Sequence, residues 1–225
     1  MYRRMMFPIF LGLVGAVILA GLGNWQLQRM AWKNAILADI SARMQATPSA
    51  IPANPDPDVD NYRRVQIRGI LDGPELHVLI TRNPDGPGFR VIQKLNTETH
   101  GDIMIDLGTV PEAAKNTSRE GGEVLIEGNL IWPDETDGYT PDADQVKNIW
   151  FARDVALMAE ALETAPIMVV ASATDPQLEP RPWQVGINIP NDHLQYAITW
   201  FSLMVVWLVM TGYLLWQVKR DDKKA

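Results

Sequence analysis

Cysteine is absent from this 225-residue chain, and histidine occurs only three times. Without thiols no disulfide can form, whatever the redox state of the compartment. Thiolate copper sites, covalent c-type haem attachment and thioredoxin-like exchange are excluded by the same absence. The familiar catalytic signatures are missing too. No Gly-x-Ser-x-Gly elbow and no His-Glu-x-x-His pair is present. Gly86-Pro87-Gly88 is a poor phosphate loop, because proline removes an anion-binding N–H. A catalytic reading therefore finds no residues to carry it, and the expectation is a protein that is not an enzyme.

Charge is missing over two long stretches. Residues 7–23, FPIFLGLVGAVILAGLG, and residues 194–218, LQYAITWFSLMVVWLVMTGYLLWQV, contain no Asp, Glu, Lys or Arg. A hydrocarbon core of ~30 Å needs ~20 apolar residues in a helix rising 1.5 Å per residue. Both runs meet this once Asn24 and Trp25 are counted as interfacial. Trp25, Tyr196, Trp200, Tyr213 and Trp216 mark the ends, where an aromatic belt is expected. Neither run has an internal charge, so neither suggests a proton relay or an ion path.

Arg3 and Arg4 precede the first run, and Lys219, Arg220, Lys223 and Lys224 follow the second. The positive-inside rule then puts both termini in the cytoplasm, although Arg29 and Lys33 weaken the contribution of the first span. The expected organisation is a tail at 1–6, a transmembrane helix at 7–25, an extracytoplasmic domain at 26–192, a second transmembrane helix at 193–217 and a tail at 218–225. A leader as short as MYRRMM is no organelle transit peptide, which points to the inner membrane of a bacterium with the domain in the periplasm. The first run is read as an uncleaved anchor, since WQLQRMAWKNAILADI continues it in helical character; Ala20 is the cleavage point of the alternative, a signal peptide. The six basic and two acidic residues of the tails leave 14 basic and 25 acidic residues between them, a net charge of −11. A domain so acidic is a poor partner for nucleic acid.

Residues 48–58, PSAIPANPDPD, cannot continue a helix. Beyond them the sequence predicts strands at 64–71 and 75–81, joined as a hairpin through the turn dipeptide Asp72-Gly73. Further strands are predicted at 89–95, 102–108, 123–132 and 166–173, and one helix at 151–163 with Val155, Leu157, Met158 and Leu162 on its apolar face. Period-two alternation implies one buried and one wet sheet face. The fold class is thus a membrane protein with two transmembrane α-helices flanking a mainly antiparallel β extracytoplasmic domain that contains one helix. The acidic loop at 134–144 does not fit an EF-hand, because aligning Gly138 with the loop glycine puts Pro133 at the first ligand position. His77, on the strand face opposite Leu76, Val78 and Ile80, and His100, in a polar turn, are expected to face solvent.

His193 remains. It stands in the first turn of the second span, where water gives way to membrane, with Asn191 or Asp192 as a candidate cap and Gln195 completing a capping box. His193, Tyr196 or Ala197, and Trp200 share one helix face. A single nitrogen ligand above aromatic side chains suits a planar, lipophilic, iron-bearing molecule, since haem iron accepts one axial histidine and its macrocycle needs apolar walls. Trp25 would add to those walls, and Arg29, Lys33 and Arg181 are candidate cations for propionates. The residues alone favour a plainer account: a capping histidine beside ordinary belt aromatics. Gly12, Ala16 and Ala20 form a small-xxx-small seam suited to close packing of the two spans.

Two motifs carry a resemblance to a known family. Gly23-Asn24-Trp25-Gln26-Leu27-Gln28-Arg29, with Trp32-Lys33, resembles the Gly-x-Trp-Gln-x-x-Arg-x-x-Trp-Lys of the surfeit locus protein 1 family. Asn191-Asp192-His193-Leu194-Gln195-Tyr196-Ala197-Ile198-Thr199-Trp200-Phe201 is similar to that family's signature at its second span. The chain departs from the family at Leu107-Gly108-Thr109-Val110-Pro111, where Arg-Gly-Trp or Arg-Gly-Phe usually precedes Val-Pro, and at Gln93-Lys94-Leu95, where Thr-Pro-Leu is commoner. The resemblance implies an assembly factor for haem-copper cytochrome c oxidase, acting on the largest oxidase subunit around insertion of haem a. It implies haem a as a transient cargo bound in the membrane, with His193 ligating the iron and Trp25, Arg29, Tyr196 and Trp200 around it. It also implies the largest subunit, haem a synthase and membrane lipid as partners. A cofactor-free scaffold that holds an oxidase intermediate through open strand edges of the acidic domain is the rival expectation. Copper delivery is disfavoured by the lack of cysteine.

Overall fold

The computed structural model describes residues 2–81, 86–119, 121–182 and 191–222. Lys223 and Lys224 of the C-terminal basic cluster lie outside them. Contacts divide the chain into two units, Met1–Asp39 with Ile187–Ala225, and Ile40–Gly186.

The first unit is built on α1 (Tyr2–Gln45) and the last helix, α4 (His193–Asp222). Both are long and apolar enough to cross a membrane. They pack antiparallel through small residues. A Cβ on Gly12 would lie 2.4 Å from Thr211 Cγ2, one on Gly15 2.3 Å from Trp207 Nε1, and one on Gly23 2.7 Å from the Phe201 ring. The indole N–H of Trp207 donates to the Gly12 carbonyl at 3.0 Å. Gly12 of the predicted seam is thus at the contact. Gly15 and Gly23 extend it, because the large partners Trp207 and Phe201 need backbone-deep hollows opposite them.

The second unit is a closed barrel of five strands in the order β1-β2-β3-β5-β4: β1 (Arg64–Ile80), β2 (Gly88–Thr97), β3 (Gly101–Pro111), β4 (Gly122–Leu130) and β5 (Met168–Asp175). All neighbours are antiparallel except β3 and β5. A one-turn helix α2 (Pro57–Asp60) precedes the barrel and α3 (Val155–Leu162) precedes β5. The interior is filled by Val65, Ile67, Val91, Leu95, Ile103, Ile105, Ile126 and Val169 among others. Each fully buried aliphatic side chain of this size contributes about 1.5–3 kcal/mol.

The predicted hairpin is one continuous strand. Residues 64–71 pair with β4, and residues 70–71 and 75–80 pair with β2, whose register shifts between Leu71 and Glu75. Gly73 takes a φ of +85°, and Asp72 caps its N–H. Asp-Gly here makes a bulge that bends β1 from one neighbour to the next, rather than a turn that reverses it. Beyond the bulge β1 leaves β4, and its freed edge is covered by Trp150, whose N–H donates to the His77 carbonyl and whose carbonyl accepts from the Leu79 N–H. Closure and this cover remove the open strand edges expected of the domain.

The expected wet face is also covered. Met158 and Leu162 of α3, with Val155 and Ala159, pack on Leu76, Val78, Ile92, Met104 and Met168 outside the barrel. Asp154 caps α3 by accepting from the Leu157 N–H at 3.0 Å, and Glu163 ends it in the left-handed conformation. His77, on the face of β1 opposite Leu76 and Val78, is also buried, at 7% exposure and edge-on to Phe89, instead of solvent-facing. Its ring lies within hydrogen-bonding distance of Glu75 and Asn148. His100 is half-buried, with Nε2 2.8 Å from the Pro52 carbonyl oxygen. Alternation tells which strand face a histidine occupies, but not what later segment will cover that face.

On the same outer face Asp106 is fully buried between the guanidiniums of Arg90 and Arg153, and it accepts from the Gly108 N–H at 3.1 Å. Arg153 in turn binds Glu135, fastening the acidic loop. Burial alone would raise the Glu135 carboxyl, but the hydrogen bond and positive charge of Arg153 outweigh it and hold the group below its ordinary value of 4.5. A depressed carboxyl stabilises the fold above its unfolded pKa and stops doing so as pH falls through the folded value. Thermal unfolding is therefore expected to show an acid limb beginning below about pH 4.5, in part removed by Glu135→Gln. An unchanged acid limb in that variant would count against the linkage.

Candidate functional site at the mouth of the helix pair

The polar end of the helix pair brings together residues far apart in sequence. His193, the first residue of α4, donates from Nδ1–H to Gln26 Oε1 at 2.8 Å. Because a side-chain carbonyl can only accept, the bond requires Nδ1–H, and in a neutral ring that is the tautomer that leaves Nε2 with its lone pair. Among the described residues nothing is bonded to that nitrogen. Two turns further along α1, Asn34 Oδ1 accepts from Asn191 Nδ2 at 2.6 Å. Asn191 thus spends its amide across the pair, tying the start of α4 to α1.

Of the site residues named from sequence, six lie in this unit. Ala197 is buried in the seam at 1% exposure, and His193 and Trp200 are half-buried beside it at helical spacing. Tyr196 is 57% exposed and Trp25 is 55% exposed, both directed away from the seam. Trp25, Arg29 and Trp32 follow i, i+4, i+7 and so form one stripe on α1. The Arg29 guanidinium lies 3.9 Å from the centroid of the Trp32 ring, a cation–π contact that holds the charge against an aromatic surface. Lys33 is half-buried on the adjacent face. The seventh residue, Arg181, belongs to the β unit. Its backbone pairs with Thr109, N–H to carbonyl in both directions. This pairing requires glycine at 108, where φ is +114° and a Cβ would lie 1.9 Å from the Arg181 carbonyl oxygen. The departure from the family pattern at Leu107 and Thr109 thus leaves that glycine in place.

Gln26 is absent from the site residues named from sequence, although it lies inside the first motif. The signal is present in the spacing: Gly12, Ala16, Leu19, Gly23 and Gln26 follow one another at four, three, four and three residues, which makes Gln26 the first polar side chain of the seam face. A cavity of about 940 Å³ lies elsewhere, on the β unit between α3 and the acidic loop, lined by Glu75, Asp142, Trp150, Leu157 and Glu160 among others. No histidine lines it.

Two membrane-spanning helices, a barrel domain inserted between them and a single histidine held across the helix pair define a membrane-anchored protein with a cluster of interhelical polar contacts where α4 begins. Residues 13–205 match the SURF1 family. The chain is 31% identical over 221 residues to a SURF1-like protein of Monosiga brevicollis, covering 88% of this chain and 84% of that one. It is 30% identical over 209 residues to Surfeit locus protein 1 of Homo sapiens (81% and 69%), and 29% identical over 208 residues to that of Rattus norvegicus (81% and 67%). The chain belongs to the SURF1 family.

Proposed function

We propose that this protein is an assembly factor for haem-copper cytochrome c oxidase that carries haem a as cargo at the mouth of its helix pair and assists its insertion into the largest oxidase subunit. The family is one of cytochrome c oxidase assembly factors; the cargo and the site are the proposal. One observation carries it, the His193–Gln26 bond, which occupies Nδ1 and leaves Nε2 as the ring nitrogen open to a ligand at the mouth of the helix pair. Neutral imidazole is the state that ligates iron, and a single such ligand suits a carrier that must let go. Trp25, Tyr196 and Trp200 supply apolar walls, and Arg29 and Lys33 supply cations for propionates. Arg29 is braced on Trp32, so meeting a carboxylate costs it less conformational freedom. In this reading the protein lies in the inner membrane of a bacterium, with both termini cytoplasmic and the barrel in the periplasm. The basic residues flanking the outer ends of the two spans support that orientation. Haem a synthase is the donor and the largest subunit the acceptor.

The scaffold reading loses the feature that motivated it, since the barrel is closed and the freed edge of β1 is covered. The deciding experiment is to co-express the full chain with haem a synthesis, purify it in detergent and record the visible spectrum. Wild-type protein is expected to carry haem bands, and His193→Ala to lose them while unfolding at the wild-type temperature. Colourless wild type, or a folded His193→Ala protein with unchanged bands, would overturn the assignment.

A further inference from the structure

We infer that Gln26 is a positioning residue for His193: it fixes the imidazole as the Nδ1–H tautomer and aims Nε2 at the ligand, and it does so with a neutral acceptor that keeps ligation reversible. The inference deepens the proposed haem-carrying role and rests on it for the identity of the ligand, but not for the tautomer.

An imidazole at the start of a helix has two ring nitrogens and a freely turning χ2, and it presents the right one only if something selects it. Here Gln26 Oε1 lies 2.8 Å from Nδ1. The carbonyl oxygen therefore selects both the proton position and the ring plane. Gln26 is itself half-buried on the seam face of α1, three residues beyond Gly23, where the Phe201 ring packs against the backbone. Its placement is thus inherited from the neighbouring part of the helix contact, and Asn34–Asn191 fixes the same end a second time.

The choice of amide over carboxylate has its own chemical consequence. Ligating histidines commonly donate their second N–H to an acceptor, which orients the ring and raises its basicity. A carboxylate in this place would push the ring toward imidazolate and strengthen the iron bond. A glutamine orients the ring without adding charge, which is the combination a carrier needs: a defined ligand and limited affinity.

Two arms test this. In the first, the full chain is labelled with 15N-histidine and studied in detergent without haem by long-range proton–nitrogen correlation at neutral pH, with His193→Ala assigning the signals. Wild type is expected to show His193 as the Nδ1–H tautomer and Gln26→Leu to lose that preference; retention of it in Gln26→Leu overturns the inference even if haem binds normally. In the second, haem affinity and midpoint potential are compared among variants. Gln26→Leu is expected to bind about 10- to 100-fold more weakly, the range typical of lost outer partners of metal ligands. Gln26→Glu is expected to restore binding at a more negative potential, which a merely structural role would not produce. If wild type and His193→Ala behave as the carrier reading requires while both Gln26 variants keep wild-type affinity and potential, this inference fails alone. If wild type is colourless, the carrier reading fails, and the tautomer measurement still decides whether Gln26 orients the ring.

Discussion

Asp106→Ala is expected to cost the β unit about 3–5 kcal/mol, the usual range for removing one partner from a buried ion pair. Asp106 is the meeting point of three contacts: the Arg90 and Arg153 guanidiniums, and the Gly108 N–H. Its loss leaves two cations facing each other at the barrel surface, with Arg153 keeping its contact to the partly exposed Glu135. The Gly108 N–H loses its acceptor at the point where β3 bulges against β2. Asp106→Asn keeps the shape and an acceptor but not the charge, and should fall between wild type and alanine. Denaturant unfolding of the full chain in detergent, followed by near-ultraviolet circular dichroism, measures the difference. An Asp106→Ala protein within about 1 kcal/mol of wild type would mean that the cluster contributes little.

The second large effect is expected at Gly15. A leucine there must occupy space now held by the Trp207 indole, which would lie 2.3 Å from the first added carbon. Overpacking of this kind costs about 1–3 kcal/mol, or roughly 5- to 150-fold in the population of the paired state. The displaced indole would also lose its bond to the Gly12 carbonyl. The cysteine-free sequence gives a clean assay: cysteines introduced at Gly12 and Thr211, whose Cβ atoms would lie 3.2 Å apart, should cross-link readily in the parent and weakly once Gly15→Leu is added. Equal cross-linking in both would show that the seam tolerates a large residue. Since Gln26 and His193 meet at the same end of the pair, the substitution should also disturb the histidine without touching it.

These residues are not equally legible in the sequence. The spans are plain, because a charge-free run of that length fits little besides a membrane. The α3 helix is plain as well, since Val155, Met158 and Leu162 recur at helical spacing, although it begins at Val155 rather than 151 and Leu157, expected on its apolar face, is exposed. The bend in β1 is hidden, because Asp72-Gly73 is the same local signal whether the chain reverses or bulges. What separates the two is the pairing: β1 runs on beside β2 across the bulge while its pairing with β4 stops at Leu71, and β4 lies far along the chain. His77 fails for a related reason. Its strand face follows from alternation, but the segment that buries it, around Asn148 and Trp150, comes 71 residues later. At the candidate site the histidine and its aromatic neighbours are visible, whereas the bond that gives the ring a direction joins residues 167 positions apart. Gln26 sits inside a family motif, yet the motif assigns it no partner.

The Trp207 bond to Gly12 acts as a detent for the helix pair. An indole N–H drawn away from its carbonyl within hydrocarbon finds no water to replace it, and each such orphan costs several kcal/mol. Sliding α4 by a single residue would shift it about 1.5 Å, enough to break that bond and to drive Trp207 and Phe201 out of the hollows at Gly15 and Gly23. The pair therefore has one indexed position rather than a continuum. His193, as the first residue of α4, inherits a fixed depth from a contact about four turns below it. Anything that loosens its grip on a ligand while the helices stay paired must act on side chains at the mouth.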